Sequence, residues 1–172
     1  MTFVHILGGC NLDKGYVSQR HLSLNLATSL VSKCEDLPRP KFGHATAICG
    51  NKIVITSGVS DHKTNMGMRS VPIAESDCYT YDIKDKNYEC LPDVPIGKFN
   101  PALVVVNNRF VFQIGGYDDW DFDIYRLDMR HPDAWATLSL DTSSAIVDDL
   151  IYEETKNHLL AVQEQDRIRK LL

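Results

Sequence analysis

The chain has 172 residues, 44% hydrophobic and 24% charged, with a formal net charge of −5. That length and apolar content support one compact domain with a sizeable core and exclude large-scale disorder. The acidic balance, without clustered Lys and Arg, argues against a nucleic-acid partner, because phosphates need a basic footprint.

The apolar opening MTFVHILGGCNL lacks the basic region and cleavage site of a signal peptide. No stretch approaches the roughly 20 apolar residues of a membrane span, so no membrane association is expected. Cys10, Cys34, Cys49, Cys78 and Cys90 are odd in number and scattered, with no C-x-x-C pair. They read as reduced thiols of a cytosolic or nuclear protein, and neither a structural metal nor a cofactor is expected.

Three β-rich segments end in a glycine signal: FVHILGG (Phe3 to Gly9), NKIVITSG (Asn51 to Gly58) and RFVFQIGG (Arg109 to Gly116). Gly8-Gly9 lies over Gly115-Gly116, and Ser57-Gly58 fills the same slot in the middle copy. After each signal and a variable loop comes an alternating strand: HLSLNLA from His21, CYTYDI from Cys78 and IYRLDM from Ile124. Side chains two apart share a face, so each strand carries an apolar row.

A fourth strand follows, centred on Cys34, Tyr88 and Trp135 in turn. Leu37-Pro38 and Leu91-Pro92 close the first two copies, and Leu138-Ser139 stands at the end of the third. One more strand precedes the second and third glycine signals, joined through Gly50-Asn51 and Asn107-Asn108 turns. The spacing from Gly9 to Gly58 is 49 residues, the period of a repeat built from about 50 residues and four strands.

Over residues 3 to about 140 this order resembles the kelch repeat: hairpin, glycine doublet, tyrosine-bearing strand, tryptophan-bearing strand, then Leu-Pro. Gly8, Gly9, Gly115 and Gly116 match the doublet, Gly58 keeps half of it, Tyr81 matches the tyrosine and Trp135 the tryptophan. Gly43-His44 resembles the opening of a blade. The chain departs at Ser57, at Cys34 and Tyr88 in the tryptophan slot, and at Leu26 and Leu127 in the tyrosine slot.

The resemblance implies an all-β fold, a partial kelch-type β-propeller of four-stranded antiparallel blades. Residues 1–40 form blade one without its first strand, 41–96 blade two and 97–142 blade three. Residues 143–172 begin a fourth blade or form a terminal helix. Their composition suits a helix, while Lys156-Asn157, placed 49 residues after Asn108, favours a hairpin of 150–154 with 159–163. About three and a half blades leave the ring unclosed, since closed propellers have about 4 to 8.

Kelch relatives serve as protein-binding scaffolds, so the implied function is non-catalytic binding of a protein partner through inter-strand loops. Further blades or a second copy are additional candidate partners. The loop Tyr117-Asp118-Asp119-Trp120-Asp121 pairs aromatic anchors with carboxylates suited to a basic peptide. Arg69, in the long insertion from Asp61 to Ser76, is a second candidate contact. The alternative is a fragment of a kelch-type enzyme whose active site is completed by other blades. Such enzymes include copper oxidases and sugar mutarotases, but no catalytic residues can be placed here. No P-loop, G-x-G-x-x-G or G-x-S-x-G motif is present.

Overall fold

The computed structural model describes residues 2–11, 13–60, 74–117, 123–138, 149–153, 158–163 and 167–170, the last three segments as backbone strands. Every regular element among the described residues is a β-strand, and no helix there is long and apolar enough to cross a membrane.

The first sheet joins β1 (Phe3–Leu7), β4 (His21–Asn25) and β5 (Leu30–Lys33), with a two-stranded ribbon of β2 (Cys10–Asn11) and β3 (Tyr16–Val17) beside it. The second runs β6 (Ala45–Cys49), β7 (Lys52–Thr56), β8 (Cys78–Asp82) and β9 (Asn87–Leu91) in chain order. The third repeats this with β10 (Ala102–Val106), β11 (Phe110–Ile114), β12 (Ile124–Asp128) and β13 (Ala136–Leu138). All pairings are antiparallel. These are the blades of a partial propeller.

The C-terminal stretch is strand, not helix. β14 (Asp149–Glu153) pairs with β15 (His158–Gln163), and β16 (Arg167–Lys170) adds a third strand that the repeat had not indicated. Lys156-Asn157, the expected turn, lies outside the described residues. β14 sits beside β10 and β10 beside β6, so the first strands of successive blades are neighbours.

An antiparallel sheet exposes an apolar face unless something covers it, and here the next sheet does. Ile53, Ile55, Tyr79 and Tyr81 of the second blade pack on Leu7 and Cys34 of the first. Its opposite side, with Val54 and Cys78, packs on Val111, Tyr125, Leu127 and Trp135 of the third. The side of the first blade that corresponds to Ile53, Ile55 and Tyr88 carries Val4, Ile6 and Val31, all exposed.

The pairing register corrects three of the expected correspondences. His21, Cys78 and Ile124 each face the residue before the glycine slot or its neighbour, which aligns Leu24, Tyr81 and Leu127. Leu24, not Leu26, therefore holds the tyrosine position. Leu24 pairs with Val31 and Tyr81 with Tyr88, and the β12–β13 register brings Trp135 to the same place. Val31 rather than Cys34 is the first-blade occupant; the Cys34 amide bonds the His21 carbonyl at 2.9 Å.

Leu37 and Val94 are the matching closing residues. Their amides bond the carbonyls of Gln19 (2.8 Å) and Ser76 (2.9 Å), two positions before their third strands. The third hairpin turn also has one residue more than the second: Cys49 pairs with Lys52, whereas Val106 pairs with Phe110. Asn51 thus corresponds to Arg109. Both contact the carboxylate that ends the third strand, Asn51 at Asp82 and Arg109 at Asp128.

The aromatic in the fourth-strand slot reaches back to the preceding blade. Trp135 Nε1 donates to the Pro92 carbonyl at 2.9 Å, and the Tyr88 hydroxyl lies 2.8 Å from His21 Nδ1. Burial with a hydrogen bond satisfies both the ring and its polar handle.

The glycine slot is a backbone requirement. Gly8, Ser57 and Gly115 have φ of 63°, 61° and 62°, and their followers Gly9, Gly58 and Gly116 have 101°, 86° and 86°. Ser57 adopts the left-handed conformation that glycine takes without strain. It is held there by burial and by its Oγ donating to Gln113 Oε1 at 3.1 Å. Ser57→Ala keeps the strain and removes the donor, whereas Ser57→Gly removes both. We expect Ser57→Ala to lower the unfolding free energy by about 1–3 kcal/mol and Ser57→Gly to lower it by less, as urea denaturation will measure.

Candidate functional site

The chain that leaves one blade for the next carries its own repeat. Asp36-Leu37-Pro38 continues to Lys41-Phe42, and Asp93-Val94-Pro95 continues to Lys98-Phe99. Phe42 forms a backbone bridge with Val59, and Phe99 forms the equivalent one with Tyr117. The two phenylalanine rings meet edge to face with centroids 5.3 Å apart, so successive linkers touch at the glycine end of the sheets.

Lys41 and Lys98 are both 0% exposed. A buried ammonium is tolerated only with paired charge and hydrogen bonds. Lys41 Nζ donates to the Ser57 carbonyl at 2.9 Å, pairs with Asp77 and lies 3.5 Å from Glu75 Oε2. It also sits 5.8 Å from the centroid of the Tyr79 ring. The third blade repeats the arrangement: Lys98 Nζ donates to the Asp123 carbonyl at 3.2 Å and lies 5.1 Å from the centroid of Tyr125. Asp77 precedes β8 as Asp123 precedes β12, and the two tyrosines take the second place of those strands.

Beside Lys41 a groove of about 450 Å³ opens between the second blade and the linker that leads into it. Arg39 comes from the linker; Glu75, Ser76 and Asp77 precede β8; Tyr79, Cys90 and Asp93 complete the wall. Its polar groups are ordered by one another. The Tyr79 hydroxyl donates to Asp77, the Ser60 hydroxyl to Glu75, and Ser76 Oγ lies 3.5 Å from Asp93. Burial, reinforced by the Asp77 carboxylate, pushes the Tyr79 phenol up, so it remains a donor. The surroundings combine three carboxylates with one guanidinium at the rim, a setting for a basic side chain from a partner.

His44 supports the same linker from behind. It is half-buried, and its Nδ1 is enclosed without a hydrogen-bond partner. Gly58 passes so close that an added Cβ would stand 2.9 Å from the His44 backbone. Burial first, and the Lys41 charge second, lower the imidazole to about 4.

The expected contact residues fall differently. Tyr117 is 55% exposed and its backbone pairs with Phe99, but it does not line the groove. Asp118, Asp119, Trp120 and Asp121 lie outside the described residues, as does Arg69. The insertion after Asp61 contributes through its last residues, Glu75 and Ser76. The repeat residues hold structural posts: Gly8, Gly9, Gly58, Gly115 and Gly116 at the blade ends, with Tyr81 and Trp135 buried between blades. Lys41, Asp77 and Tyr79 were not anticipated. The recurrence of Lys-Phe three residues after each blade-closing Pro was the available signal.

No protein-family model and no curated protein matches the chain. Among solved structures, that of YjhT superposes with a TM-score of 0.70 at 16% identity, over 94% of this chain and 56% of that one. The chain thus spans little more than half of that protein, and the likeness is one of fold.

Removing one member of a buried ion pair leaves the other uncompensated. Lys41→Met should cost about 3 kcal/mol, and the Lys41→Met/Asp77→Asn double variant less than the sum of the two single ones. A double-mutant cycle in urea measures this coupling. A second expectation concerns acid. His44 takes its proton more readily in the unfolded chain, so its contribution is full above about pH 6.5 and disappears as pH falls toward 4. Stability should drop by up to about 2 kcal/mol across that window, and His44→Gln should flatten the drop. Thermal denaturation from pH 7 to pH 4 reads it.

Proposed function

We propose that this chain is part of a kelch-type propeller that acts in the cytosol or nucleus as a non-catalytic protein-binding scaffold. The groove beside Lys41 carries this reading. It lies at the end of the sheets where the long connections gather, walled by the second blade with Arg39 of the preceding linker beside it. Carboxylates dominate its polar lining, with Asp93 toward solvent and Asp77 held by Lys41. A partner segment bearing Lys or Arg beside an apolar residue would set its charge against Asp93 and Glu75 and its apolar group against Leu91. The aspartate-rich residues 118–123, which follow Tyr117, add acidic character to this reading.

Peptides selected from a random displayed library on the intact chain provide the test. Basic sequences should be enriched, and Asp93→Lys should weaken their binding roughly 10-fold or more, since a reversed charge is a repulsive element. Arg39→Glu should strengthen it. Enrichment without basic residues, or binding indifferent to Asp93→Lys, overturns the proposal.

A further inference from the structure

Between the first and second blades, three potential metal ligands converge. His5 comes from β1, His21 opens β4 and Cys34 directly follows β5. The strand pairing β1–β4–β5 puts them on the face turned toward the second blade, although they are far apart in sequence. One donor atom from each lies within 4.8 Å of the others, and His5 Nδ1 is 2.8 Å from His21 Nε2.

We propose that His5, His21 and Cys34 bind one zinc-type transition-metal ion, through Nδ1, Nε2 and Sγ respectively, with a fourth position open to water. Two imidazoles and a thiolate suit a borderline-soft ion, and three protein ligands are fewer than the four that close a structural zinc site. Tetrahedral zinc with nitrogen ligands at about 2.0–2.1 Å holds those nitrogens about 3.3 Å apart. The histidine pair must therefore open by about half an ångström, within the reach of small ring rotations.

The surroundings are those of outer-shell support. A ligating histidine characteristically gives its second ring N–H to a fixed acceptor. His21 has the Tyr88 hydroxyl 2.8 Å from Nδ1, which leaves Nε2 for the ion. Tyr81 shares a hydrogen bond with Cys34. The Tyr81 ring also stands edge-on to His21 at 4.4 Å between centroids, fixing the imidazole plane.

Charge favours a cation as well. Asp36 and Glu35 adjoin the cluster; Asp36 Oδ2 pairs with Lys33 at 3.0 Å, while its Oδ1 is buried without a hydrogen-bond partner. Binding releases the Cys34 thiol proton to solvent. All three ligands belong to the first blade, while Tyr81 and Tyr88 belong to the second, so the ion would tie the two sheets together.

Zn2+ titrated by calorimetry into the full chain, freed of metal and kept reduced, tests the site, with Co2+ as the optical probe. One equivalent should bind. Co2+ should show thiolate-to-cobalt charge transfer with tetrahedral d–d bands. Cys34→Ser should abolish the charge-transfer band and weaken Zn2+ by roughly 100-fold, and His5→Ala should weaken it comparably. Tyr88→Phe should weaken it by roughly 10-fold. Cys10→Ser, at a thiol outside the cluster, should leave Zn2+ binding unchanged. Circular dichroism of each metal-free variant separates lost binding from lost fold. Absence of stoichiometric binding by the intact chain, a cobalt spectrum without thiolate character, or a spectrum unchanged in Cys34→Ser overturns the proposal.

Discussion

The structure rests on apolar contact between sheets that cannot exist singly. Each blade is an antiparallel sheet with two apolar faces, so its neighbours must supply the other half of each core. Val54 and Cys78 are buried because Val111, Tyr125 and Trp135 cover them; Tyr81 is buried because the first blade covers it. Val4, Ile6 and Val31 have the same chemistry and remain exposed. Residue type fixes the wish to be buried, and position in the stack decides whether it is met.

Polar groups make the stack specific. The linkers between blades turn inward with a lysine, and each ammonium is met by a carbonyl and the face of a tyrosine. Such a charge favours one register, because sliding a blade would leave it without compensation. Tyr88 and Trp135 act alike from the fourth strand, each making one bond to the preceding blade. The groove beside Lys41 follows from this: pulling a linker inward beside Asp77 leaves an indentation whose walls are already ordered.

Repeats make equivalent positions, and divergence at those positions is where individual character appears. The first position of the third strand is Cys78 and Ile124 in two blades, but His21 in the first. That exchange, with His5 diagonal to it across the β1–β4 pair and Cys34 where other blades carry Leu91 and Leu138, turns an apolar contact into a cluster of donor atoms. Ser57 shows the opposite case. It departs from glycine in sequence yet keeps the backbone angle, and its hydroxyl is put to use against Gln113.

The sequence by itself determined the class of fold, the strand order and the period, because alternation, tight-turn residues and glycine slots act over a few residues. It also marked the C-terminal hairpin through its spacing. It misplaced Cys34 and Leu26 because strand ends carry no local signal; for Leu26, a slip of two from Leu24 even keeps the same alternation. Only the tertiary structure brought Lys41 to Asp77 and Tyr79, and His5 to His21 and Cys34. Those groups sit on separate strands, and their meeting depends on pairing register and on how one sheet seats against the next, neither of which a single chain segment encodes.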